Sequence, residues 1–422
     1  METLRNASVP SAMMGQPGGE IERVDIAIAD GRIASITPHT PGPGRDLDGG
    51  LVLPALVDIH THLDKGHIWP RRPNEDGTWE TALTRSIEDS TTRWSAADVE
   101  RRMDFALRCA YAHGTAAIRT HIESTPPQHD ISWDVFDRMR ERWAGRIELQ
   151  AVSLVGPQVL LDPAMLDAVA ARVAAAGGIL GGAVRSFPQS REAMRAVVDA
   201  AGRHGLDIDI HADETLDPTS DVLLALAEAV IETGYTGRVL AGHCCALTVQ
   251  GEAIQQRTIE RVAEAGIAIV SLPLCNMYLM GRNARGGVTP LQRGVTLLHE
   301  FRAAGVPVAI ASDNTRDPFY AYGDLDALEV LREGARILHF DHPMDGAWRW
   351  ARTVAADAAC IAGFAYTAQI VVGASADLLA FRARNWTELL ARPQSDRIVL
   401  RNGTAIDTTL PDYRELDDLM EA

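Results

Sequence analysis

Apolar and polar positions alternate in short runs near both ends of the chain. Residues 20–53 contain "VDIAIADGRIASITP", which reads as two strands joined at an Asp30-Gly31 turn. Near the C-terminus "ADLLAFRA" and "RIVLRNGTAID" follow the same pattern, with Asn402-Gly403 at the turn. Between them the pattern changes. Eight apolar runs read as buried strands: "LVDIHTH", "AAIRTHI", "ELQAVSL", "GGAVRSF", "LDIDIHAD", "RVLAGHC", "AIVSLPL" and "VAIASDN". Segments of helical period separate them, among them "DVERRMDFALRCAYAHG", "SREAMRAVVDAAGRHG" and "TLLHEFRAAG", which stop at Gly114, Gly205 and Gly305. Eight strand–helix units predict an α/β protein with a (β/α)8 TIM-like barrel over residues 55–365. The outer segments, 1–54 and 366–422, predict a small discontinuous β-sandwich domain.

Composition narrows the partners. A net charge of −17 argues against nucleic acid and anionic membrane, which reward basic surfaces. No apolar run is long enough to span a bilayer, and the N-terminal segment lacks the apolar stretch of a signal peptide. Five scattered cysteines form no C-x-x-C pair, which fits reduced thiols and a cytoplasmic, soluble protein. The acidic end, "DYRELDDLMEA", reads as a solvated tail.

In a barrel of this kind, chemistry sits at the C-terminal ends of the strands. His60 and His62 end the first run and, two apart, share one face. His211 ends the fifth run, His243 the sixth and Asp313 the eighth. Neutral imidazoles with a carboxylate suit zinc or iron(II) better than magnesium or calcium. Glu214, three residues past His211, stands where a carboxylate moves protons beside an activated water. The bland reading of Glu214 is a cap on the next helix. Lys65 is the only lysine in the chain. Barrel hydrolases with two metals often bridge them with a carbamylated lysine on strand four, and "GGAVRSF" offers no lysine, glutamate or cysteine. One divalent ion is therefore expected, activating a water for attack.

"HTHLD", "IRTHIES", "IDIHADET", "PLCNMYLMGR" and "SDNTRDPF" together resemble the amidohydrolase superfamily, in particular its cytosine deaminase branch. The resemblance implies that His60, His62, His211 and Asp313 bind one zinc or iron ion. It also implies that Glu214 moves protons to the ring nitrogen and leaving amine, that His243 polarises the water or the developing oxyanion, and that Asp313 takes the proton of the water. The implied reaction is hydrolytic release of ammonia from an amino-substituted N-heterocycle, with cytosine or a close pyrimidine analogue as the expected substrate. The same centre acting on a different C–N bond is the alternative: an s-triazine amino or alkylamino group, or a cyclic amide. The substrate-reading positions differ from the family pattern. Gly156 falls where cytosine deaminases carry a glutamine, with Gln158 two residues on. Asn314 replaces a second aspartate, Phe319 replaces a tryptophan, and Lys65 gives an "HxDK" form similar to s-triazine relatives. Lys65 has two readings, an ion pair with a nearby acid or a contact to substrate. Asp58 and Asp64 read as structural, and His67 as too far along the loop to be a ligand. The resemblance further implies a small-molecule partner and a homo-oligomer.

Overall fold

The structure is a computed structural model that describes residues 2–342 and 346–421. The eight predicted runs form eight strands in chain order: Leu56–Thr61, Thr115–Glu123, Glu148–Leu154, Leu180–Val184, Ile208–Ala212, Val239–His243, Ala268–Ser271 and Val308–Ile310. The first three and the last five form two parallel sheets, each strand paired with its sequence neighbours. Two parallel bridges, Val152 to Ile179 and Thr61 to Asp313, join the sheets into a closed (β/α)8 barrel. Asp58 reinforces the second seam: its carboxylate accepts the Ser312 N–H and the Ser312 hydroxyl, linking strand one to strand eight.

The helices fold as their pattern predicts. Helix Ala96–His113 starts at Ser95, whose hydroxyl accepts the Asp98 N–H, and ends at Gly114 with φ 91°. Helix Ser190–His204 ends at Gly205 with φ 65°, the left-handed conformation that glycine adopts at least cost. The barrel axis departs from the usual filling of branched aliphatic side chains. Arg119, His121 and Asp209 are buried there, and Arg119 ties the layer together through Asp209 (2.9 Å), Gln150 and the Ala362 carbonyl.

Two four-stranded sheets lie outside the barrel. One has the order Arg32–Pro38, Ile21–Ala29, Glu2–Pro10, Arg45–Asp46. The other joins Val52–Pro54 to Leu378–Ala380, Ile398–Arg401 and Thr404–Ala405, so both chain ends contribute to it. The predicted turns are present, with Asp30, Gly31, Asn402 and Gly403 all at positive φ. The strand Glu2–Pro10 escaped the sequence reading because a register shift between Leu4 and Ala7 breaks its alternation. No described helix is long and apolar enough to cross a membrane.

The acidic tail corrects an expectation: it is docked rather than solvated. Leu416 is buried against Phe105 and Cys109, while Arg101 holds Asp418 and Arg108 holds Glu415. Tyr413 packs on Phe105 at 5.5 Å and donates to Asp324 at 3.1 Å.

Candidate active site

Strand termini bring the predicted ligands together. Nε2 of His211 lies 3.1 Å from Nε2 of His60 and 3.2 Å from Nε2 of His62. Asp313 Oδ1 is 3.2 Å from His62 Nε2 and 3.7 Å from His60 Nε2. All four side chains are buried. Burial pushes the imidazoles down, His62 to about 4 and His60 and His211 well below their ordinary value, so their lone pairs stay free. Burial alone would raise Asp313, but the His62 hydrogen bond and nearby positive charge hold it at about 2. Three imidazoles kept neutral by burial and one carboxylate, converging on one point, fit a zinc or iron(II) ion. The backbone is left-handed at two of these strand ends: His243 has φ 68° and Asp313 φ 66°, values uncommon outside glycine.

His243 also joins the cluster. Its Nδ1 accepts from the Asn276 amide at 2.9 Å, which leaves Nε2 to carry the proton. Glu214 Oε1 lies 3.6 Å from the same Nδ1 and has no hydrogen-bond partner, whereas Oε2 accepts the Trp79 indole N–H at 2.7 Å. Burial raises the Glu214 carboxyl above its ordinary range. The capping role falls to its neighbour instead. Asp213, at φ 53°, accepts the N–H groups of Val222 and Leu223 at the start of helix Val222–Thr233, which leaves Glu214 free to face the barrel axis.

The positions singled out for substrate differ in placement. Among the described residues Lys65 makes no ion pair. It is 7% exposed, with Nζ 4.0 Å from the centroid of the Phe319 ring, and its charge acts on the buried carboxyls of Asp317, Asp64 and Glu123. Phe319 is buried, and Asn314 is buried with its amide donating to Cys275 Sγ at 3.3 Å and its Oδ1 unpartnered. Gln158 stands apart from this buried group: it is exposed on the short helix Pro157–Leu160, its Oε1 turned back over Gly156. Asp64 braces the strand-one loop, accepting from the Glu123 N–H (2.8 Å) and Ser132 (3.1 Å). His67 is packed on Phe105, with ring centroids 4.9 Å apart.

Three neighbours went unassigned in the sequence reading. His121 sits on strand two with its ring 4.1 Å from that of His60, neither nitrogen hydrogen-bonded and Nε2 3.8 Å from Asp209 Oδ1. With His60 and Asp209 it forms a second close group of potential ligands. Its signal was present as "RTH", where Arg119 and His121 share a face at i and i+2. Asn276 lay inside "NMYLMGR". Trp79 carried no signal, because it lies in a long excursion after strand one.

The amidohydrolase family profile matches residues 106–406. The pterin deaminase of Rhizobium rhizogenes (strain K84) is 51% identical over 99% of this chain and 97% of its own length. Two solved structures superimpose over nearly the whole chain. The 5-methylcytosine deaminase of Klebsiella pneumoniae bound to 5-fluorocytosine has a TM-score of 0.83 and 24% identity, covering 97% of this chain and 98% of that one. The N-isopropylammelide isopropylaminohydrolase of Burkholderia multivorans has a TM-score of 0.75 and 26% identity, covering 97% and 100%. With most of its length matched by one profile and a near full-length relative above half identity, the chain belongs to the amidohydrolase family.

Proposed function

We propose that the protein is a hydrolytic deaminase of a pterin, a 2-amino-4-oxo-pyrimidine fused to a second ring, and that it releases ammonia. One observation carries the choice of ring: 51% identity with a pterin deaminase along almost the entire length of both chains. Cytosine was the expectation from the motifs. The 5-methylcytosine deaminase, at 24% identity, is a likeness of fold alone and gives cytosine no comparable support. Pterin shares with cytosine the amino-bearing carbon next to a ring nitrogen, so the same machinery serves both.

His60, His62, His211 and Asp313 would hold one divalent ion, whose contribution is to make a water acidic enough to attack at neutral pH. The rest falls to the side chains. The Asp313 carboxylate, low in pKa and with Oδ2 unpartnered, accepts the proton of the water. His243, fixed by Asn276, turns Nε2–H toward the oxygen on which charge develops. Glu214, raised in pKa by burial and free at Oε1, protonates the ring nitrogen and then carries a proton to the departing amine. Lys65, buried over Phe319, offers Nζ to the carbonyl edge of the ring, and Phe319 offers a face for stacking.

The test is ammonia release from zinc- and iron-loaded enzyme across pterin, cytosine, 5-methylcytosine, isoguanine and ammelide. Pterin should give the highest kcat/KM, and chelation should abolish it. Faster turnover of a one-ring substrate would refute the choice of ring. An alkylamine released from N-isopropylammelide, with no ammonia from any of the panel, would refute deamination.

A further inference from the structure

We infer that Trp79 is a positioning residue for Glu214, locked in place by Arg185, which rests on the deaminase reading above. Trp79 opens the helix Trp79–Thr92 at the end of the strand-one excursion. Asn74 holds that excursion over the barrel mouth: its amide donates to the Thr78 carbonyl (2.8 Å) and to the Pro318 carbonyl of the strand-eight loop (3.0 Å). From there the indole N–H reaches Glu214 Oε2 at 2.7 Å. A glutamate has two rotatable bonds between Cβ and its carboxylate. Fixing one oxygen fixes the direction of the other, and Oε1 is thereby turned toward His243 with no partner of its own.

Arg185, from the loop after strand four, brackets this hydrogen bond from outside. Its guanidinium lies over the indole at 4.1 Å from the ring centroid. One nitrogen donates to Glu80 Oε1 at 2.8 Å and another to Thr215 Oγ1 at 3.3 Å. Glu80 is the chain neighbour of Trp79, and Thr215 that of Glu214. One arginine therefore ties together the two backbone segments that carry the donor and the acceptor. On the inner side the Phe319 ring meets the indole edge-on at 6.0 Å. Loops from strands one, four, five and eight converge on one N–H, and its acceptor is the carboxylate with an oxygen left free. Packing a tryptophan calls for some acceptor. It does not call for this one, nor for a clamp that joins the neighbours of both partners.

The discriminating variant is Trp79→Phe, which keeps an aromatic ring for Arg185 and Phe319 and removes the N–H together with the five-membered ring that carries it. Wild type is first assayed on the heterocycle panel, and the variants are then measured on whichever substrate it turns over, so a failure of the pterin reading is seen separately. For Trp79→Phe, kcat should fall about ten- to a hundredfold, the range of a hydrogen bond to a charged group. KM should change by less than about threefold, with metal content unchanged. Arg185→Met keeps the N–H and loosens the clamp, so its kcat should fall less, by roughly three- to tenfold. A Trp79→Phe enzyme with kcat within about twofold of wild type would overturn the inference, whatever its thermal stability. If no heterocycle is turned over, or Trp79→Phe does not fold, the zinc-loaded wild type and Glu214→Gln are compared by indole N–H resonances. The chain has eight tryptophans. One indole signal must move on Glu214→Gln, and eight unmoved signals overturn the inference.

Discussion

Lys65→Met separates two roles that a buried lysine commonly combines. The side chain is 7% exposed, makes no ion pair among the described residues and lies over Phe319. If its ammonium meets the carbonyl edge of the substrate, the lost contact is a charge-assisted hydrogen bond of about 1.5–3 kcal/mol, or roughly ten- to 150-fold in kcat/KM. Stability should change little. Removing the buried cation relieves about 1–3 kcal/mol of desolvation, while the lost cation–π contact returns about 0.5–2 kcal/mol and the lost attraction to Asp317, Asp64 and Glu123 offsets more of the gain. For 422 residues the unfolding entropy near the midpoint is about 0.9 kcal/mol/K, so 1 kcal/mol shifts Tm by about 1 °C. The expected result is a large kinetic loss, full metal content and a Tm within about 2 °C of wild type. The assays are steady-state kinetics, metal analysis and scanning calorimetry on the same preparation. Kinetics within about twofold of wild type would refute the substrate contact. A Tm lowered by about 5 °C or more would show that the lysine is structural.

Glu214→Gln should lower kcat by about 10²–10⁴-fold, with metal content retained, as loss of a proton shuttle requires; stopped-time ammonia assays check it. His67 gives a pH prediction. Burial, aided by Arg316 and Arg102 and opposed by Asp324, holds its imidazole at about 3. The unfolded chain takes up this proton below about 6.5, and the folded chain does not until about 3, so stability is complete above the upper value and falls as pH drops through the window. Between pH 7 and pH 5 this amounts to about 2 kcal/mol, and His67→Phe should flatten that slope of Tm against pH. The docked tail predicts that Leu416→Ala costs about 2–5 kcal/mol, or roughly 2–5 °C in Tm, with kcat unchanged; thermal scans beside kinetics check both.

The clustered histidines were legible because strand periodicity is local. An i, i+2 pair shares a face, and a run of apolar residues announces where that face ends, so "HTH", "HADE", "GHC" and "SDN" could be set at one mouth before any coordinates. Lys65 was legible as an exception and not as a role. Its surroundings depend on Phe319, more than two hundred residues away, and nothing in "HLDKGH" reports that pairing. The tail misled for the same reason: its charges read as solvated, but Arg101 and Arg108 on a distant helix complement them.

By itself the sequence determined the barrel, the order of its strands, the turns of the outer sheets and the four converging candidate ligands, since each follows from spacing along a few neighbouring residues. Only the tertiary structure decided which groups surround those ligands. The polar layer of Arg119, His121 and Asp209, the Asn276 contact to His243 and the Trp79–Glu214–Arg185 clamp all join residues from different loops or strands. Periodicity fixes the direction of a side chain relative to its own strand or helix. Closing the barrel fixes what that side chain meets.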